Sequence, residues 1–163
     1  MESQKSQGSQ GSQITDCPSC GHRNRVPDAA AGTPRCGDCH SALPWIVAAG
    51  DDDFAEIAER AAPFVLVDMW ATWCGPCRMV SPALEEVARD LAGVIKLVKV
   101  DVDQSPQLAA RFEVQAIPTL LVLDGGEVIA RQAGAAPAPA LRSWVEQAIA
   151  GRRAGSRDKE RTP

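Results

Sequence analysis

Six cysteines in 163 residues fall into three pairs, each with two residues between its members: Cys17/Cys20, Cys36/Cys39 and Cys74/Cys77. Nothing else in the chain constrains its folding as strongly. Thiols held this close either share a metal ion or interconvert with a disulfide, and a static disulfide framework needs an oxidising compartment. The stretch Met1–Gln13 is polar and has no apolar run like that of a secretory leader. A reducing cytoplasm is therefore the expected setting. The surroundings of each pair then decide what it does.

Residues 14–42 carry the first two pairs together with three prolines and three glycines, and too few apolar side chains to build a core alone. Cys17-x2-Cys20, fifteen residues, then Cys36-x2-Cys39 is the spacing of a four-thiolate zinc site, each pair supplying one side of a tetrahedron through a tight knuckle. The expected cofactor is one zinc ion on Cys17, Cys20, Cys36 and Cys39, with no organic cofactor. Zinc binding would supply the folding energy this segment lacks. Arg23, Arg25 and Arg35 lie near enough in sequence to offset the charge of −2 that four thiolates leave on a divalent ion. The alternatives are reversible disulfides, an unfolded thiol-rich arm, or His22 or His40 replacing one thiolate.

Outside this segment, Ser-Gln dipeptides recur every three residues up to Gln13, so residues 1–13 are expected to be disordered. Residues 14–43 form the metal module, 44–150 one further domain, and 151–163 a disordered basic tail. The net charge of −4 divides into zero over residues 1–50, −7 over 51–150 and +3 over 151–163. The acidic centre disfavours non-specific nucleic-acid binding, and the charge-neutral metal module lacks aromatics on which bases could stack. No apolar run approaches the roughly 18 residues of a membrane span. A monomer is expected.

From Pro44 onward, periodicity alternates between strand and helix. Trp45–Val47 reads as a short strand, and 51–61 as a helix burying Phe54, Ile57, Ala58 and Ala61. Residues 64–70 form an apolar run suited to a strand covered on both faces. A helix over 75–92 turns Met79, Val80, Leu84, Val87, Ala88 and Leu91 inward, with Pro82 inside it. Val94–Val100 is a strand, and Ser105 caps a short helix begun by Pro106. Thr119–Leu123 and Glu127–Arg131 form a hairpin across Gly125-Gly126. A last helix over 138–150 buries Leu141, Trp144, Val145, Ala148 and Ile149. The order β-α-β-α-β-α-β-β-α implies an α/β fold, a parallel sheet with helices on both faces and an antiparallel edge.

The third pair sits where the buried strand ends and a helix starts. Unpaired N–H groups and the helix dipole there favour an anion, so a thiolate at Cys74 would have a lowered pKa. Gly75 and Pro76 shape a turn expected to leave the first sulfur exposed, with Cys77 one turn deeper and within disulfide reach. The alternatives are a zinc half-site or an inert disulfide. Asp68 interrupts the apolar run. Buried there, it would have a raised pKa and could serve as general base for Cys77; at a strand end it would simply face water. Lys99 on the next strand either pairs with Asp68 or is solvated. Pro118 at a strand start marks a special backbone, and a cis bond there stays open against the general preference for trans.

Taken together, VDMWATWCGPCRM, VKVDVDQ, AIPTLLVLDGGEV and the region of Gly134 resemble the thioredoxin family over residues 45–150. With the four-cysteine module ahead of it, the chain is similar to the zinc-binding thioredoxins. The resemblance implies a thioredoxin fold behind a small zinc-ribbon-like module. It implies that Cys74 attacks, that Cys77 resolves, and that Asp68 assists Cys77 with Lys99 beside it. Pro118 would be a cis-proline against the disulfide, and Trp73, Gly75, Pro76, Ile117, Gly134 and Ala135 would frame the surface that meets clients. The implied activity is reduction of disulfides in client proteins, with recharging by an NADPH-dependent thioredoxin reductase. The rival is a redox-sensing holdase, or a protein-binding module, whose arm releases zinc on oxidation.

Overall fold

The computed structural model describes residues 11–161. The expected disorder of residues 1–10 lies outside the described residues. Ser12 and Gln13, expected in the same tail, instead begin a strand.

β1 (Ser12–Asp16) and β2 (Arg23–Pro27) form an antiparallel ribbon. A five-stranded mixed sheet follows, made of β3 (Ile46–Ala48), β4 (Phe64–Trp70), β5 (Ile95–Asp101), β6 (Thr119–Asp124) and β7 (Glu127–Ala133) in the order β3-β5-β4-β6-β7. β3, β5 and β4 are parallel, while β6 and β7 run antiparallel. Helices α1 (Gly75–Asp90), α2 (Pro106–Arg111) and α3 (Ala138–Glu160) complete the fold. The expected order of elements from Pro44 onward is the observed one, and the central strands β4 and β5 are covered on both faces.

Strand alternation sorts side chains into two cores. Leu66, Ile95, Leu97, Leu120 and Val122 pack under α1 and α3. Val65, Val67, Met69, Val98 and Val100 face the other way, toward Phe54, Ile57, Leu108 and Phe112. The same alternation sends Asp68 to the α1 face and separates two lysines three residues apart, Lys99 to the α1 face and Lys96 to the opposite one.

The cysteine-rich module belongs to that second core, which includes Cys17, Val26, Cys36, Leu43 and Trp45. Lys96 is 0% exposed. Its ammonium donates to the carbonyls of Asp28, just past β2, and of Ile57, and lies 3.8 Å from the Trp45 ring centroid. Trp45 Nε1–H in turn donates to the Pro27 carbonyl at 2.9 Å. Burial presses the Lys96 pKa down to about 8, opposed by the charge of Asp28. A buried cation satisfied by carbonyls from both sides fastens the module to the sheet.

Four local expectations are corrected. The helix expected over 51–61 is a single π turn, Ala55–Glu59, although its apolar face is buried as expected. Asp51 does not start that helix; its carboxylate accepts from the N–H groups of Gln107 and Leu108 and so caps α2, in place of the Ser105 side chain. Met79 is 78% exposed, because a step of 100° from Val80 carries it onto the face of Ala83 and Glu86. Finally, α3 continues through the expected basic tail as far as Glu160. Arg152 explains the extension, donating to Asp124 at 2.8 Å and Glu127 at 2.7 Å, while Arg153 lies over Phe64.

Candidate functional site

Cys74 and Cys77 form a disulfide at the junction of β4 and α1, with Cα atoms 5.3 Å apart. Cys74 is the N-cap of α1, and its sulfur accepts from the Cys77 backbone N–H at 3.2 Å. Pro76 fits the first turn because its missing N–H would have had no partner there. The expectation of an exposed first sulfur is corrected: Cys74 and Cys77 are each 3% exposed. Ala71 packs with the pair, and Trp70, Val102 and Ile117 close around it.

The surface beside the disulfide is nonetheless open. Trp73 is 69% exposed, with its indole N–H donating to Asp103 Oδ2 at 2.8 Å. With Ile117, Val102 and Val114 it lines a mainly apolar groove of about 440 Å³. Gly75 and Pro76 are exposed at the tip of α1. The Ile117–Pro118 bond is cis. Gly134, at φ 89°, donates its N–H to the Pro118 carbonyl at 2.9 Å, and Ala135 beside it is exposed.

Behind the disulfide lies a cavity of about 200 Å³ lined by Cys77, Asp68, Ser81, Lys99 and their neighbours. Asp68 is 1% exposed and its Oδ1 has no hydrogen-bond partner. Burial, opposed by the Lys99 charge and aided by that of Glu85, lifts its pKa from 3.8 to about 6. Lys99 is the register partner of Asp68 on β5. Its ammonium does not bond the carboxylate; it donates to Ser81 Oγ and to Glu85 Oε1, the latter at 3.0 Å. Neither Ser81 nor Glu85 was singled out from the sequence. The available signal was their spacing, since positions 77, 81 and 85 recur every four residues along one face of a helix.

This site makes a pH prediction. The folded carboxyl holds its proton more tightly than the unfolded one, so its contribution to stability is full below pH 3.8 and is lost as pH rises through about 6. The penalty above pH 6 is about 3 kcal/mol. Asp68→Asn is expected to raise unfolding free energy by about 2 kcal/mol at pH 7.5 and to change it little at pH 4. Urea unfolding of the oxidised protein at both pH values measures this, and an equal effect at the two would contradict it.

The other two pairs converge on a second centre. Cys17 Sγ lies 3.6 Å from Cys39 Sγ, Cys20 Sγ lies 3.6 Å from Cys36 Sγ, and all four sulfurs are within 4.8 Å of one another. These separations are far beyond a covalent S–S bond and close to the ~3.8 Å edge of a tetrahedron with ~2.3 Å metal–sulfur bonds. The two knuckles repeat one design. Cys17 N–H donates to the His22 carbonyl and Gly21 N–H back to Cys17; Cys36 N–H donates to Ser41 and His40 N–H back to Cys36. The fifth residue of each knuckle has positive φ, 76° at Gly21 and 64° at His40. Cys36 Sγ also accepts from Asp38 N–H and Asn24 Nδ2. Among the described residues no histidine joins the cluster. Arg23 and Arg25 turn to Asp16 and Ser12, and Arg35 ties the second knuckle through the His40 carbonyl. Four cysteines are thus positioned to bind a metal ion.

The family model described as Thioredoxin matches residues 45–147. Thioredoxin C-3 of Corynebacterium nephridii is 36% identical over 139 residues, covering 83% of this chain and 95% of that protein. That alignment is too long for the matched segment and the residues after it, so it runs into the cysteine-rich module. Thioredoxin of Bacillus subtilis (strain 168) is 44% identical over 102 residues, 63% of this chain and 96% of its own length. Thioredoxin of Haemophilus influenzae is 42% identical over 99 residues, 61% of this chain and 92% of its own length.

Proposed function

The chain belongs to the thioredoxin family of thiol–disulfide oxidoreductases, and from that premise we propose that it reduces disulfides in client proteins by cycling Cys74 and Cys77 between dithiol and disulfide. The observation that carries this reading is the position of Cys74: an N-cap sulfur that already accepts a backbone N–H is a site where negative charge is stabilised. The Cys74 thiolate attacks a client disulfide, forming a mixed disulfide and releasing one client thiolate. Asp68 takes the proton of the Cys77 thiol through the shared cavity. The Cys77 thiolate then attacks Cys74 Sγ, closing the internal disulfide and releasing the second client sulfur. Two electrons pass from protein to client.

Trp73, Ile117, Pro118 and Gly134 line the client side, with Gly75, Pro76 and Ala135 at its rim. An NADPH-dependent thioredoxin reductase would return the electrons, in the reducing cytoplasm where free thiols persist, and the protein would act as a monomer. The ion held by Cys17, Cys20, Cys36 and Cys39 is proposed to be zinc, which four thiolates in a tetrahedral arrangement suit. It would supply folding energy and no step of the reaction.

The test is reduction of insulin disulfides by the full chain, driven first by dithiothreitol and then by NADPH with a bacterial thioredoxin reductase. Precipitation of the insulin B chain well ahead of the reductant alone is expected. No acceleration with either electron source would refute the reading.

A further inference from the structure

Lys99 and Asp68 face the same side of the sheet in direct register, yet the ammonium is turned away from the carboxylate. Both groups that turn it belong to α1. Ser81 Oγ and Glu85 Oε1 accept from Lys99 Nζ, and they lie one and two turns beyond Cys77 on the same helix face. The consequence is visible at Asp68, whose buried Oδ1 is left with no partner. Its other neighbours do not substitute. The register partner from β6 is Leu120, and Arg78 at the cavity edge sends its guanidinium to the Thr72 carbonyl. A buried carboxyl facing a lysine would normally be paired and ionised. Here the cation is held aside.

We propose that Ser81 and Glu85 are positioning residues that draw Lys99 off Asp68 and thereby decide how readily Asp68 takes the proton of Cys77. This rests on the disulfide-reductase reading above, whose resolving step needs that proton moved. The step is balanced: the Cys77 S–H bond breaks, the carboxylate becomes a carboxylic acid, and the thiolate keeps the electron pair it uses against Cys74. A carboxylate clamped by its lysine would be a poor proton acceptor, while one freed of the lysine is matched to neutral pH. Burial sets the upward shift of Asp68; the Lys99 charge opposes it without cancelling it, and the Glu85 charge adds to it.

The experiment follows the Asp68 carboxyl carbon by NMR in the fully reduced, full-length protein, with Asp68→Asn identifying its signal. Glu85→Gln is expected to lower the midpoint by about one pH unit, because it removes a repelling charge and half of the grip on Lys99. Ser81→Ala is expected to lower it by a few tenths of a unit. Lys99→Met is expected to raise it. The Ser81 hydroxyl bonds the lysine and not the carboxylate, so a positioning role makes its effect depend on the lysine: in the Lys99→Met background, Ser81→Ala is expected to have no effect. A midpoint unmoved by Glu85→Gln and Ser81→Ala would overturn the proposal, as would a Ser81→Ala shift of equal size with and without Lys99. The titration uses no client. Its failure therefore leaves the reductase reading standing, while a wild-type chain inert toward insulin would refute that reading and leave these shifts unaffected.

Discussion

Cys74→Ser is expected to reduce insulin no faster than the reductant alone, a loss on the order of 10³-fold or more, since removing a covalent nucleophile disables the whole unit. The loss would not come from unfolding. Serine is itself a preferred N-cap, and its Oγ can accept the Cys77 N–H that the sulfur accepts now. Cys77→Ser removes the same internal disulfide but should behave differently. Its Cys74 thiolate still attacks, and the resulting mixed disulfide has no resolving sulfur, so a client–protein adduct accumulates that a thiol reductant releases. Intact mass before and after dithiothreitol reads this out. An adduct on Cys74→Ser and none on Cys77→Ser would reverse the assignment of the two sulfurs, and full turnover by Cys74→Ser would refute the two-cysteine cycle. The asymmetry follows from position: the Cys74 sulfur caps the helix, while Cys77 lines the cavity that holds Asp68.

What the sequence made legible depended on periodicity and spacing. The alternation of apolar runs identified the strands and the helices α1 and α3 in order, because each must bury one face or both; Ser105-Pro106 marked the start of α2, and the helix expected over 51–61 shrank to one π turn. Two-residue spacing formed each pair, because a knuckle or a helix turn is a local structure, while the meeting of the two knuckles followed from the spacing pattern of a four-thiolate site. What escaped was non-local. Asp51, expected to open the helix over 51–61, instead caps α2, because the loop after β3 passes α2 in space. Lys96 lies within a strand with no local sign of its role, and its burial depends on carbonyls of Asp28 and Ile57, far from it in the chain. The sequence leaves Lys99 either paired with Asp68 or solvated, and only the family resemblance puts it beside the carboxylate; the direction of its ammonium is set by Ser81 and Glu85 of α1. The extension of α3 past residue 150 rests on Arg152 meeting acids of the β6–β7 hairpin, which composition alone cannot reveal.

The metal centre should matter more to the fold than its distance in sequence from the disulfide suggests. The wild-type chain is expected to carry one equivalent of zinc by elemental analysis, and Cys36→Ser less than half of that. Cys36 is buried, and its sulfur is where the two knuckles and Asn24 meet. Structural zinc contributes about 10–16 kcal/mol to small modules of this kind, more than the few apolar residues of 14–43 can supply. Without it the β1–β2 ribbon should come off the sheet. Trp45 would then lose the Pro27 carbonyl and Lys96 the Asp28 carbonyl, leaving a buried ammonium half satisfied. The expected signature is a displaced Trp45 indole N–H resonance together with a fall of at least several degrees in melting temperature. Insulin reduction should persist below that temperature, because Cys74, Asp68 and Lys99 are held by β4, α1 and β5 on the face away from the module. A metal-free wild-type chain with the same melting temperature and an unmoved Trp45 signal would show that the four thiols hold the arm together unaided.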